Sequence, residues 1–240
     1  MTNASQASDA RAFNKQVAEV QIATRLSKVE RSISESVKLI AVTKTFSADI
    51  VRAAYACGIR DFAENKIQEA IKKQSALSDL TGITWHFIGH IQSNKSRRAV
   101  EHFDWIHSVD SLKLATRMDK QAAEIGKRVS CCLQVKLASD PNKDGFEKSE
   151  LLAALPQLDT LTHLDIQGLM TIPPYGLSAA KTTEIFAAAR SLAAEIADRG
   201  LSRVQMNQLS MGMSGDFELA IAQGATMIRL GSILFGSRHS

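Results

Sequence analysis

The sequence has no apolar run long enough to cross a bilayer, which argues against a membrane-spanning helix and against a membrane as partner. Its first ten residues, MTNASQASDA, lack the basic start and apolar core of a secretory signal, so a cytoplasmic chain with residues 1–8 as a polar tail is expected. Cysteine is scarce. Of the three, Cys57, Cys131 and Cys132, the adjacent pair sits in an apolar run where thiols act as small hydrophobes, and the odd number fits a reducing compartment. No Cys/His spacing resembles a zinc site, and no metal is expected. The formal net charge of +4 is spread along the chain; its one local basic cluster, residues 94–98, reads as the start of a solvated helix, so no nucleic acid is expected. No Pro/Gly/Ser-rich linker divides the 240 residues, which leaves one domain over 1–240 as the expected organisation.

What is present is a rhythm. After a first helix expected over about residues 9–33, apolar runs of strand length fall at 38–43, 61–64, 85–89, 105–109, 130–136, 165–170, 205–210 and 227–231. Amphipathic stretches such as 47–57 and 179–198 lie between them, with spacing suited to helices packed on a sheet. Eight strands alternating with helices predict a closed (β/α)8 TIM barrel with an extra N-terminal helix, rather than an open doubly wound sheet. Tyr175 follows the Pro173, Pro174 pair and reads as part of the loop after the sixth strand.

Such barrels carry their chemistry at the carboxyl ends of the strands, so polar residues that close the apolar runs are the first candidates. These are Lys44, Glu64, Asn65, Met170, Thr171 and Ser210, with His86 inside the third run. A primary amine at the inner rim loses hydration, which favours its neutral form and lets it attack an aldehyde to give a Schiff base. Position alone favours Lys44 as a lysine snorkelling into water. The end of the chain alters that balance. In SMGMSGDFELAIAQ a glycine- and serine-rich turn presents backbone N–H groups and the Ser214 hydroxyl to an anion, and a second turn, Gly231 and Ser232, follows the last strand. Loops after strands seven and eight are the recurrent phosphate site of this fold. The alternative for the first turn is an ordinary helix start with Ser214 as N-cap. Between the turns, Arg229 puts a permanent charge in the apolar strand MIRLG, where it needs an acceptor: a carboxylate such as Glu64, or a ring nitrogen of a ligand. His86 reads either as a mouth residue or, preferably, as a satisfied core histidine.

The segments AVTKTF, ENKIQEA, WHFIGHIQSNK, GLMTIPP and SMGMSGDFELAIAQGATMIRLGSILFGSR occur in one order along nearly the whole chain. In them the sequence resembles the pyridoxal phosphate homeostasis proteins, the YggS/PROSC family. That resemblance implies a fold-type III barrel like the N-terminal domain of alanine racemase, with pyridoxal 5'-phosphate (PLP) joined to Lys44 and Asn65 near its ring. It further implies that Ser214, Gly231 and Ser232 hold the phosphate and that Arg229 faces the pyridine nitrogen. Ala63 stands where the family generally has glycine, Lys66 where it often has tyrosine and His90 where proline is frequent. The implied role is a PLP carrier with no catalytic residue, a monomer whose partners are PLP and PLP-requiring apoenzymes. The alternatives are a weak racemase-like PLP enzyme and a sugar-phosphate aldolase or isomerase using Lys44 with Glu64.

Overall fold

The aliphatic runs form strands because their β-branched side chains pack on a pleated surface, and the alanine-rich stretches between them wind into helices that cover it. In a computed structural model, which describes residues 3–138 and 144–236, α1 (Asn3–Glu30) precedes β1 (Lys38–Val42) and α2 (Ala48–Ala56). Then follow β2 (Asp61–Glu64), α3 (Ile67–Ala76), β3 (Thr84–Phe87), α4 (Ser96–His102), β4 (Trp105–Val109) and α5 (Leu112–Glu124). The second half holds β5 (Val129–Lys136), a two-residue β6 (Phe146–Glu147), α6 (Lys148–Leu158), β7 (Leu164–Met170), α7 (Ala179–Ala197), β8 (Val204–Met213), α8 (Phe217–Ala222), β9 (Met227–Leu230) and α9 (Ser232–Phe235).

Eight of these strands close a parallel barrel in the order β1-β2-β3-β4-β5-β7-β8-β9, and β9 returns to β1 in the register Lys38↔Met227 to Ala41↔Leu230. All eight expected strands are there. The sequence reading lacked β6, which pairs with β5 outside the ring, and it ended β8 too early, because a register shift between Ser210 and Met213 carries that strand further. The first helix begins at Asn3, earlier than expected; residues 1 and 2 lie outside the described residues. No helix among the described residues is long and apolar enough to cross a membrane.

Two apolar layers hold the barrel. The larger lies between strands and helices, with Phe62, Phe87, Phe103 and Phe186 fully buried. The smaller lies inside the ring around Ile40, Val42, Ala63 and Met227. Period-two alternation sorts β2 between them: Asp61 and Ala63 face inward, Phe62 and Glu64 outward. The basic run at 94–98 opens α4 on the surface, where Arg97 pairs with Glu101 and Glu124, in keeping with a solvated helix start.

Candidate functional site

Lys44 leaves β1 in a turn closed by Phe46 N donating to Thr43 O (3.0 Å). The next residue, Thr45, has φ +71°, a left-handed conformation that is strained for a β-branched side chain. Strain of this kind persists only where the surroundings over-determine it. Here Thr43 supplies the anchor: its N–H donates to Ala63 O (3.0 Å), its hydroxyl to Glu64 Oε1 (2.7 Å), and its carbonyl accepts from Lys73 Nζ (2.7 Å). Lys73 also binds Glu64 Oε1 at 2.6 Å. Glu64 therefore belongs to the strand–helix layer and is not an acceptor for Arg229 or an acid beside Lys44. The alternation that places Asn65 at the mouth turns its neighbour outward.

Asn65 is held by close approach of the loop after β3. A Cβ on Gly89 would collide with the Asn65 carbonyl oxygen, so only glycine fits there. Ser108 Oγ donates to Gly89 O (2.6 Å) and fixes the loop from β4.

The two turns at the end of the chain meet. Gly212, with φ +93°, bends the end of β8 so closely over α8 that a Cβ would lie 2.7 Å from Ala220 Cβ. The bend sends Ser214 across to the next loop, where Gly231 N (3.2 Å) and Ile233 N (3.3 Å) both donate to its Oγ. Ser214 is thus not the N-cap of α8; that position belongs to Asp216, whose carboxylate accepts from Met213 N at 2.6 Å.

Arg229 is 3% exposed, and its guanidinium donates to Ser210 Oγ (2.6 Å) and Thr171 O (3.0 Å). Burial lowers its pKa to about 10, which still leaves it charged at neutral pH. Beneath it His86 and His107 are both fully buried, and burial holds both below the ordinary imidazole range, His107 well below. His86 is hydrogen-bonded through both ring nitrogens, so it is a core histidine. His107 and Asp61 had no place in the sequence reading. The available signal was strand alternation, which turns His107 to the same face as Trp105.

These groups open on one cavity of about 490 Å³ at the carboxyl end of the barrel. Its wall includes Lys44, Asn65, Ser214, Arg229, Gly231 and Ser232, the six residues singled out in the sequence, with Val42, Ile88, Ile172, Tyr175 and Met213 as apolar surface. Met170 and Ser210 lie deeper in the core. His90 stands at the rim, its Nδ1 2.9 Å from Asp144 and 3.2 Å from Asp110. A second cavity, about 540 Å³, opens beside α1 at the amino-terminal ends of β1 and β2, the pole where such barrels carry stability rather than chemistry.

Residues 17–239 match the family model of the alanine racemase N-terminal domain. The pyridoxal phosphate homeostasis protein of Synechocystis sp. is 50% identical over 212 residues, covering 88% of this chain and 96% of its own. The chain belongs to the pyridoxal phosphate homeostasis protein family. The family member of Pseudomonas aeruginosa is 41% identical over 227 residues, covering 90% of this chain and 96% of its own. Among solved structures, PipY of Synechococcus elongatus with PLP bound superposes with a TM-score of 0.86 at 52% identity, over 90% of this chain and 100% of that one. Alanine racemase of Clostridium difficile shares the fold at 16% identity and a TM-score of 0.74, over 92% of this chain but 57% of its own.

Proposed function

We propose that this family member binds PLP covalently through Lys44 and holds, buffers or passes on the cofactor in PLP homeostasis. The observation that carries the reading is the single cavity of about 490 Å³ that gathers an amine, two glycine–serine turns and a buried arginine. The residues fit the group. Two backbone N–H groups already converge on one hydroxyl oxygen at the turns, which is the donor chemistry a phosphate takes, while Asn65 and apolar Ile88 and Ile172 suit a small aromatic ring. When bound, PLP supplies an aldehyde carbon open to amine attack and a pyridine ring able to draw electrons from it.

The chain's own residues divide the work. Lys44 supplies the amine, held in place by the anchored Thr43 and the strained turn. Ser214, Gly231 and Ser232 hold the phosphate. Arg229 can only donate a hydrogen bond, so it keeps a ring nitrogen unprotonated and the ring a weaker electron sink. That suits carriage over carbanion chemistry. Racemisation also needs an acid or base on each face of a substrate carbon, and among the described residues lining the cavity the only other phenol, thiol, imidazole or carboxyl is Tyr175, whose side chain is fully exposed. Tyr175 is what keeps a weak racemase-like activity as the second reading.

Purified protein is expected to be yellow, and borohydride to fix a phosphopyridoxyl group on Lys44, detected by peptide mass spectrometry; Lys44→Ala should be colourless. A wild-type protein that stays colourless after incubation with PLP rejects the proposal. Alanine racemisation at the rate of a dedicated racemase, lost in Tyr175→Phe, would favour the second reading. The proposal takes the protein as a cytoplasmic monomer on one domain, with PLP-requiring apoenzymes as recipients.

A further inference from the structure

Five side chains, one each from β9, β8, β4, β3 and β2, run through the barrel interior from the mouth to the opposite pole. Arg229 Nη1 donates to Ser210 Oγ (2.6 Å), and Ser210 Oγ lies 2.7 Å from His107 Nδ1. His107 Nε2 lies 2.9 Å from His86 Nδ1, and His86 Nε2 lies 2.9 Å from Asp61 Oδ1. Asp61 in turn meets Lys38 Nζ at 3.2 Å and lines the cavity at the amino-terminal pole.

The two ends fix the direction of every proton between them. A guanidinium only donates, so Ser210 Oγ accepts from Arg229 and gives its own proton to His107 Nδ1. A neutral His107 then carries its proton on Nε2 and donates to His86 Nδ1. His86 likewise carries its proton on Nε2 and donates to the Asp61 carboxylate, which only accepts. No donor meets a donor, no acceptor meets an acceptor, and neither imidazole needs a second proton. The surroundings agree with neutral rings. Burial opposes protonation of His107 first, then any charge on His86 and those on Arg229 and Lys38; around His86 burial outweighs the carboxylates of Asp61 and Asp104, and the Trp105 ring stacks 6.1 Å away. At the floor, burial pushes the Asp61 carboxyl up, but the hydrogen bond from His86 and the nearby Lys38 outweigh it and keep it ionised.

We propose that Asp61, His86, His107 and Ser210 are positioning residues: a one-way hydrogen-bond relay that aims Arg229 at the mouth cavity and ends on a carboxylate at the opposite pole. The link to the ligand rests on Arg229 facing the PLP ring as proposed above, whereas the relay itself does not. With that link, the electronic state of the bound ring depends on a chain of residues that never touch it.

The relay is tested first without ligand. In protein labelled with ¹⁵N-histidine, His86 and His107 should both appear as neutral Nε2–H tautomers, unchanged between about pH 8 and about pH 5.5. A doubly protonated His86, or a His107 bearing its proton on Nδ1, overturns the relay. The second test uses PLP-loaded protein. His107→Leu breaks the relay and should shift the visible absorption band and weaken PLP binding about tenfold, whereas His107→Gln, which can accept from Ser210 and donate to His86, should stay within about threefold of wild type. Equal spectra and affinities in wild type and His107→Leu, or equal damage in both variants, overturn it. Should His107→Leu fail to fold, the labelled wild type decides. A colourless wild type would strike the cofactor proposal alone, since the tautomer pattern is read without cofactor.

Discussion

Among the described residues, two cationic side chains are buried near the mouth and are treated in opposite ways. Lys73 reaches from α3 to Glu64 at 2.6 Å and to the Thr43 carbonyl, a self-contained ion pair between strand and helix. Arg229 lies inside the ring with hydrogen bonds to a hydroxyl and a carbonyl, and the anionic end of its chain sits at the far pole. A charge answered in place serves the fold. A charge held by neutral partners keeps donor capacity for whatever enters the cavity it lines.

The largest effect should come from breaking the compact pair. Lys73→Met leaves the Glu64 carboxyl in the wall with only the Thr43 hydroxyl beside it, at a cost of about 3–5 kcal/mol, while Arg229→Leu should cost less, about 1–3 kcal/mol for the Ser210 and Thr171 acceptors it leaves behind, and act mainly on ligand binding. Urea denaturation of both variants, beside PLP titrations, measures the contrast; similar losses of stability would erase it.

Acid should separate the regions next. The imidazoles of His86 and His107 are depressed by burial, so below their ordinary value of 6.5 the unfolded chain binds more protons than the fold. Their contribution is complete above that pH and is lost as pH falls through it, at up to about 1.4 kcal/mol per pH unit for each ring. The depressed Asp61 carboxyl adds stability that persists until the pH drops below the ordinary 3.8. Ligand-free protein followed by calorimetry should therefore lose stability from neutral pH toward pH 5; a flat profile would mean the interior chain is not the neutral one described.

Two backbone positions give smaller effects. Gly89→Ala should cost about 1–3 kcal/mol by overpacking against the Asn65 carbonyl and weaken PLP binding with it. Thr45→Gly relieves a left-handed β-branched residue and should be neutral or stabilising by up to about 1 kcal/mol in thermal melts. If it instead destabilises strongly, the turn that presents Lys44 is not strained.

The barrel was legible because each strand announces itself by a short aliphatic run and each crossover by helical spacing. The six cavity residues were legible by three routes: Lys44 and Asn65 as polar residues closing a strand, Ser214, Gly231 and Ser232 as glycine- and serine-rich turns, and Arg229 as a charge inside an apolar strand. Facing was harder to read. Glu64 and Asn65 both end β2, and only one of two neighbours on a strand can face inward. The path of Ser214 depends on the positive φ at Gly212 and on the register shift in β8, and irregularities of this kind leave no periodic trace. His107 needed knowledge of which strands are neighbours and in what register, since His86, His107 and Ser210 are separate polar residues in the chain and become one chain of contacts only across β3, β4 and β8.

The seam of the barrel joins the first strand to the last, and the proposed amine and anion cradle sit on its two sides. A chain still emerging from the ribosome has Lys44 long before it has Gly231, so half of the pocket waits for the last strand of the ring. Colour would then appear only when the ring shuts, which would make the proposed cofactor a built-in signal of closure.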